Sequence, residues 1–373
     1  MRLLYFSSSR IPSTEANSIQ VLRMAEAFAN RGLDVEVFAS YGDKQGSQDV
    51  FSTYGVQGRF KLIYVRRLKI KRLGSFIYGL CASIKGRSWN ADIVYARCPH
   101  SLYWASKYNK PFIYEAHDLP NGRLRHTLEK SLFLRRNFTK LVVISDALRK
   151  DYLKNFEELS PAKVVVAHDG ANVPPEAWAS SFCTPSYRLG SGLEVGYLGS
   201  VYPGKGVEGV LALAKKKPFD NFHVVGGTSE ELVTWRSQAP NNVNFHGRIE
   251  PSKTYSKLRE FDVLLLSAQR KIAASGGGDI ARYTSPLKMF EYMAAGRPII
   301  ASSIDVLKEV LQHRKNSLLV APDDTAGWSE ALEELRVDKA LSRNIAKNAL
   351  DDLTNKYTWK ARAEKVLCGL HRT

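Results

Sequence analysis

Cysteine is scarce. The 373 residues contain Cys81, Cys98, Cys183 and Cys368 alone. None forms a C-x-x-C pair, and none stands beside a second Cys or a His at zinc-ligand spacing, which excludes a disulfide scaffold and a zinc-finger module. Long apolar runs are missing too: no stretch approaches the ~18 residues that a membrane-crossing helix needs. The opening MRLLYFSSSR has too short an apolar segment for a secretory signal and reads as a buried first strand. The expectation is a cytoplasmic chain with reduced thiols. No G-x-G-x-x-G follows the first strand, which weakens a dinucleotide-dependent oxidoreductase. No Asp-x-Asp pair occurs, so nothing in the sequence calls for a metal. Composition is otherwise that of a folded protein, with 44% hydrophobic and 24% charged residues.

Acidic residues are absent between Asp49 and Asp92, although the chain as a whole carries 37. That interval holds Arg59, Lys61, Arg66, Arg67, Lys69, Lys71, Arg72, Lys85 and Arg87, interleaved with Phe60, Tyr64, Phe76 and Tyr78. A second basic cluster comprises Arg123, Arg125, Lys130, Arg135, Arg136 and Lys140. The formal net charge is +17. Such a field attracts nucleic acid, anionic lipid or phosphorylated substrates, or is simply a solvated face; charge alone does not choose.

Short apolar runs alternate with helical patterns: Leu3–Phe6, Val35–Phe38, Ile93–Tyr95, Phe112–Tyr114, Leu141–Ile144 and Val164–Val166. Fully apolar strands separated by amphipathic helices indicate a parallel sheet covered on both faces. The alternation pauses over 172–192, rich in Pro, Gly and Ser, which reads as a linker. It resumes at Val195–Leu198, Val224-Val225, Val263–Leu266, Ile299–Ala301 and Leu318–Val320. Two doubly wound α/β units are expected, with ligands beyond the carboxyl ends of the strands.

The most informative segment is SPLKMFEYMAAGRP, residues 285–298. Ser285 reads as the cap of a helix that starts at Pro286 and stops at Gly296. A helix N-terminus attracts anions, by roughly 0.3–2 kcal/mol from the dipole. Glu291 is placed either to clasp a vicinal diol such as a ribose or to pair with Lys288 three residues earlier.

SPLKMFEYMAAGRPIIAS resembles the donor-binding signature of family 4 retaining glycosyltransferases, which have the GT-B architecture of two facing Rossmann-like domains. RIPSTEANSIQVLRMAEAFANRGLDVEVF, YEAHDLP, VVAHDGAN and VGYLGSVYPGKGVEGVL resemble further segments of that family in the same order. The resemblance implies an acceptor-binding domain at 1–178, a nucleotide-sugar-binding domain at 190–352, and a C-terminal helix within 353–373 that packs back on the first. It implies that Glu291 holds the nucleotide ribose, that the backbone at Ser285, Leu287 and Lys288 receives the diphosphate with Pro286 among the donor-binding residues, and that Lys205 neutralises it. Gly199 and Gly204 would let the 199–206 loop approach the phosphates. His117 would face the donor sugar, with Asp118 nearby. Arg282 and the Lys288 side chain are weaker candidates for the leaving-group charge.

Departures from the pattern are equally specific. Ser200 stands where the family often has Arg, and Tyr283 replaces the first Glu of its Glu-x7-Glu motif, a carboxylate that usually contacts the donor sugar. Ser7-Ser8-Ser9 replaces a Gly-Gly pair, and Asn17 and Gln20 occupy positions often held by Gly or His, so acceptor recognition through Ser9, Asn17, Gln20 and Asp118 must differ. The 267–284 loop, with Gly276–Gly278, reads as a cover for the donor. The function implied is transfer of a sugar from a UDP- or GDP-type donor, with retention and without cofactor or metal. The acceptor would be a saccharide or lipid-linked saccharide in bacterial surface polysaccharide assembly. The basic first domain would hold the protein on the inner face of the cytoplasmic membrane. A nucleotide-sugar epimerase or hydrolase is the alternative. A non-catalytic polyanion binder is a further one, though no nucleic-acid motif supports it.

Overall fold

A computed structural model describes residues 1–13, 15–42, 49–68, 70, 73–173, 192–272 and 281–370. The chain divides into two compact units. Unit 1 comprises Met1–His168 with Trp359–Thr373, and unit 2 comprises Asp169–Thr358.

Unit 1 is built on seven strands: β1 (Arg2–Ile11), β2 (Asp34–Tyr41), β3 (Lys61–Val65), β4 (Ile93–Ala96), β5 (Phe112–Ala116), β6 (Phe138–Val143) and β7 (Val164–Val166). All pair in parallel, in the order β3-β2-β1-β4-β5-β6-β7. Helices α1 (Ala16–Asn30), α2 (Val50–Tyr54), α3 (Gly74–Arg87), α4 (Pro99–Ala105), α5 (Arg123–Phe133) and α6 (Asp146–Asn155) connect them. Leu3, Leu4, Tyr5 and Phe6 in succession have no exposed surface, as a central strand covered on both faces requires.

Unit 2 repeats the plan with β8 (Glu194–Leu198), β9 (Asn221–Val225), β10 (Val243–Gly247), β11 (Val263–Leu266), β12 (Ile299–Ser302) and β13 (Leu318–Val320), in the parallel order β10-β9-β8-β11-β12-β13. Its helices are α7 (Val207–Lys216), α8 (Ser229–Gln238), α9 (Thr254–Leu258), α10 (Leu287–Ala295), α11 (Asp305–Lys308), α12 (Thr325–Val337) and α13 (Lys339–Lys356). Successive strand residues feed two cores. Val263 and Leu265 pack with α7 and α12, while Leu264 and Leu266 pack with α10 and α13. The last helix, α14 (Trp359–Leu367), belongs to unit 1 and packs on α1, with Arg31 paired to Glu364 and Lys140 Nζ donating to the Cys368 carbonyl.

The α/β reading and its parallel sheets are as the apolar runs indicated. The strands those runs missed are β3 and β10, each at a sheet edge. Edge strands bury one face at most, so KLIYV and VNFHG mix polar with apolar residues and give no continuous run. Of the stretch read as a linker, 174–191 lies outside the described residues, as does 273–280 with its Gly276–Gly278.

In both sheets the strand order reverses beside the first strand, between β1 and β4 and between β8 and β11. Loops leaving the carboxyl ends there form a crevice, the position at which doubly wound sheets bind ligands.

Candidate active site

In unit 2 the reversal point is lined by the loop after β8 and by the start of α10. Gly199, Gly204 and Gly206 have φ of +152°, +81° and +126°. Space matters as much as dihedral at Gly204, where a Cβ would lie 2.0 Å from the Lys271 carbonyl oxygen. Two tyrosines fix this loop from beneath. Tyr197 Oη lies 2.6 Å from the Ser200 carbonyl and 3.0 Å from that of Lys205. Tyr292 Oη accepts from the Leu198 amide at 2.7 Å and donates to its carbonyl at 3.1 Å, tying α10 to the end of β8. Both are buried, which raises their pKa and keeps them neutral donors.

Lys288 reaches the same loop from α10. Its Nζ donates to the Lys205 carbonyl at 2.9 Å and sits 4.1 Å from the centre of the Tyr197 ring. A Cβ on Gly199 would come 3.1 Å from Lys288 Cδ, so the glycine makes room for this side chain. Burial lowers the pKa of Lys288 well below its usual value; the nearby Lys205 lowers it further and Glu208 opposes. Burial also lowers Lys205. Among the described residues neither ammonium pairs with a carboxylate. Two partly desolvated cations beside one glycine-rich loop form a site short of negative charge.

The start of α10 differs from the sequence reading. Helical structure begins at Leu287, because Pro286 is extended (φ −72°, ψ 123°) and occupies the capping position with no side-chain cap. Ser285 therefore does not cap; its Oγ accepts instead from the Asp169 amide at 3.0 Å. The Met289 amide closes a turn on the Pro286 carbonyl at 2.9 Å, while the amides of Leu287 and Lys288 precede any intrahelical acceptor. Glu291 is half-buried one turn on. Ser200 is exposed, and Arg282 stacks over the ring of the adjacent Tyr283 at 5.8 Å.

In unit 1 the carboxyl ends of β4 and β5 converge on a buried carboxylate that sequence reasoning did not single out. Glu115 is 1% exposed. Its Oε1 accepts from Gln20 Nε2 at 2.7 Å, lies 2.5 Å from His117 Nε2, and has Arg97 Nε at 3.9 Å. Its Oε2 accepts from Arg362 of α14 at 3.1 Å. Burial raises the Glu115 pKa, but the Arg362 charge and the His117 hydrogen bond outweigh it and hold the group at about 2. Gln20 is therefore an interior residue: it is 1% exposed and its other amide atom accepts from Arg97 at 2.5 Å. Asn17 is half-buried with its amide on Glu15, and Ser9 is 8% exposed beside Ser7 Oγ.

Asp118 is exposed at the same sheet end and is clasped by Arg125, at 2.8 Å to Oδ1 and 3.1 Å to Oδ2. Arg125 in turn donates to the buried Glu129 at 2.7 Å, which also accepts from Tyr114 at 2.9 Å and Tyr152 at 2.8 Å. Burial raises the Glu129 pKa, and these donors offset it only in part. An isolated Glu inside the apolar strand FIYEA was the available signal for Glu115; nothing in WKARAEKVL marked Arg362.

The model of the family described as Glycosyltransferase Family 4 matches residues 18–173, and that of the Glycosyl transferases group 1 matches residues 192–338. Among curated relatives, the D-inositol 3-phosphate glycosyltransferase of Actinosynnema mirum is 23% identical, over 94% of this chain and 91% of its own length. Among solved structures, Anabaena HepE in complex with UDP and glucose superposes with a TM-score of 0.71 at 16% identity, over 100% of each chain. WaaG, a glycosyltransferase involved in lipopolysaccharide biosynthesis, does so with a TM-score of 0.67 at 16% identity, over 98% of this chain and 100% of its own.

Proposed function

Because this chain belongs to the family 4 glycosyltransferases of GT-B architecture, we propose that it moves a hexosyl group from a nucleotide-diphosphate sugar to a saccharide or lipid-linked acceptor in bacterial surface polysaccharide assembly. The observation that carries this reading is the pair Lys205 and Lys288 around the 199–206 loop, with the Leu287 and Lys288 amides opening α10. Cleaving the anomeric carbon–oxygen bond leaves an oxocarbenium-like sugar and a more negative diphosphate. Fixed donors at the departing oxygens are each worth about 3–4 kcal/mol to such a step. Lys205, Lys288 and the two amides supply them here, so the charge is balanced without a divalent ion. Glu291 accepts the ribose hydroxyls, and His117, held by Glu115, faces the sugar. Family resemblance implies retention: the acceptor hydroxyl attacks the face from which the diphosphate departs and passes its proton to a diphosphate oxygen, so no enzyme nucleophile is needed. Asp118 and Asn17 of unit 1 meet the acceptor. HepE, named with UDP and glucose, supports a uridine donor.

A peripheral membrane position fits unit 1. Tyr41, Leu68, Ile70 and Leu73 are exposed apolar residues, and Arg66 and Arg67 beside them are exposed cations. Apolar tips among basic residues suit an anionic leaflet, at about 1 kcal/mol per nearby cation. Among the described residues no helix is long and apolar enough to cross a membrane.

A second reading, favoured by the Actinosynnema relative, is a small phosphorylated polyol as acceptor. Thermal shift with a panel of UDP- and GDP-sugars tests the donor assignment, since ligand binding raises stability by mass action. A rise with one donor class is expected, and no rise with any would refute it. Product formation from lipid-linked saccharide against inositol phosphate separates the two acceptors.

A further inference from the structure

Resting on the reading of His117 as the side chain that faces the donor sugar, we propose that Arg362 of α14 is a positioning residue, which acts through the Glu115 carboxylate to fix the protonated nitrogen and the orientation of the His117 ring. Arg362 and Glu115 side chains are 2% and 0% exposed. An ionised carboxylate only accepts hydrogen bonds. With Glu115 ionised, His117 Nε2, 2.5 Å from Oε1, must carry the proton. The tautomer is thus set by the charge state and the placement of one buried group.

That placement depends on Arg362. Oε1 is shared by Gln20 and His117, whereas among the described residues Arg362 is the donor on Oε2. Arg97 Nη1 donates to Gln20 Oε1 and the Asn17 carbonyl, and its Nε stands 3.9 Å from Glu115 Oε1, beyond hydrogen-bond distance and toward the other carboxylate oxygen. The Nε of Arg362 is anchored as well, donating to the His168 carbonyl at 3.0 Å. His168 is the last residue of unit 1 before the chain passes into unit 2, and α14 is the first element after the chain returns. One guanidinium therefore joins both chain crossings, on the unit 1 side, to the carboxylate beneath His117.

A merely structural clamp would hold α14 without affecting the imidazole, and ring-proton spectroscopy separates the two. In the full-length protein labelled with ¹⁵N-histidine, with His117→Gln for assignment, wild type is expected to show a protected, downfield ring N–H on His117 Nε2. Arg362→Lys should retain it. Arg362→Gln should lose it, or speed its exchange with water at least ~10-fold. Should Arg362→Gln fold poorly, the pair Glu115→Gln with Arg362→Met removes both partners of the buried ion pair together, and should fold while losing the signal. With a sugar nucleotide that supports turnover, Arg362→Gln should lower kcat at least ~10-fold with KM for the donor unchanged within about two-fold. A folded Arg362→Gln with the wild-type His117 signal, or a wild-type ring protonated on Nδ1, would overturn the proposal. UDP and GDP affinities of the same samples report on unit 2 alone. Their absence in wild type would refute the donor assignment while leaving the ring-proton result to decide the present one.

Discussion

Replacing Lys288 by Met separates binding from folding at the point where the structure says they oppose each other. Met has nearly the volume of Lys without the charge. The substitution removes a hydrogen bond to the Lys205 carbonyl and the contact with the Tyr197 ring, and leaves that carbonyl to share the single Tyr197 Oη proton with the Ser200 carbonyl, at 3.0 and 2.6 Å. It also removes a cation that burial and Lys205 disfavour. Exchanging a buried charge for a packed apolar group is commonly neutral or stabilising, so the free protein should change by no more than about 1 kcal/mol. Nucleotide binding should respond differently. A charge-assisted hydrogen bond to a diphosphate oxygen is worth about 1.5–3 kcal/mol, a loss of about 10- to 150-fold in affinity. Calorimetric titration with UDP and GDP, alongside urea unfolding of the free protein, measures both. The sign with pH follows from the same lysines. Their pKa is lower folded than unfolded, so the free protein gains stability as pH rises toward 10.5. Bound diphosphate restores the charge, so binding takes up protons and weakens as pH rises. Lys288→Met with affinity within two-fold of wild type for both nucleotides would refute this account of the charge.

Other consequences are as specific. Lys205→Ala should lower turnover at least ~100-fold, in line with loss of one group that acts on the transition state, and Glu291→Ala should lower kcat/KM for the donor at least ~10-fold through lost ribose contacts, while circular dichroism stays unchanged; near-normal values in both would remove the site assignment. The Glu115 carboxyl moves from 4.5 to about 2 on folding, so its contribution is complete above pH 4.5 and lost as pH falls through 2. That shift corresponds to about 3 kcal/mol. Glu115→Gln should accordingly flatten the acid side of the stability profile of unit 1. Replacing Arg66 and Arg67 by Ser should reduce co-sedimentation with phosphatidylserine vesicles, and binding that ignores anionic lipid would remove the membrane position.

What was legible in the sequence followed burial. Runs such as LLYF and VLLL could only be strands covered on both faces, and SPLKMFEYMAAG carried its helix and its glycine stop in its own residues. What escaped was local context that a neighbour supplies. The helix cap moved by one residue because Pro286 stayed extended and Ser285 found a partner in Asp169, more than a hundred residues away. Gln20, which its position suggested as a contact for acceptor, is drawn inside by Glu115 and Arg97. Arg362 has no sequence signal because its partner lies 247 residues away, and an amphipathic terminal helix offers many arginines a place. Lys288 is open in the sequence to two readings, a surface partner of Glu291 or, by resemblance, a weaker candidate for the leaving-group charge; its burial over Tyr197 follows from Gly199 leaving room, which only three-dimensional packing reveals.

The proposed function stands or falls with a nucleoside diphosphate held between the loop after β8 and the start of α10. A crystal structure with UDP or GDP tests it directly. Phosphate oxygens are expected on the Leu287 and Lys288 amides and on Nζ of Lys205, with Glu291 on the ribose hydroxyls. A nucleotide bound elsewhere, or Glu291 turned to solvent beside a bound ribose, would contradict it.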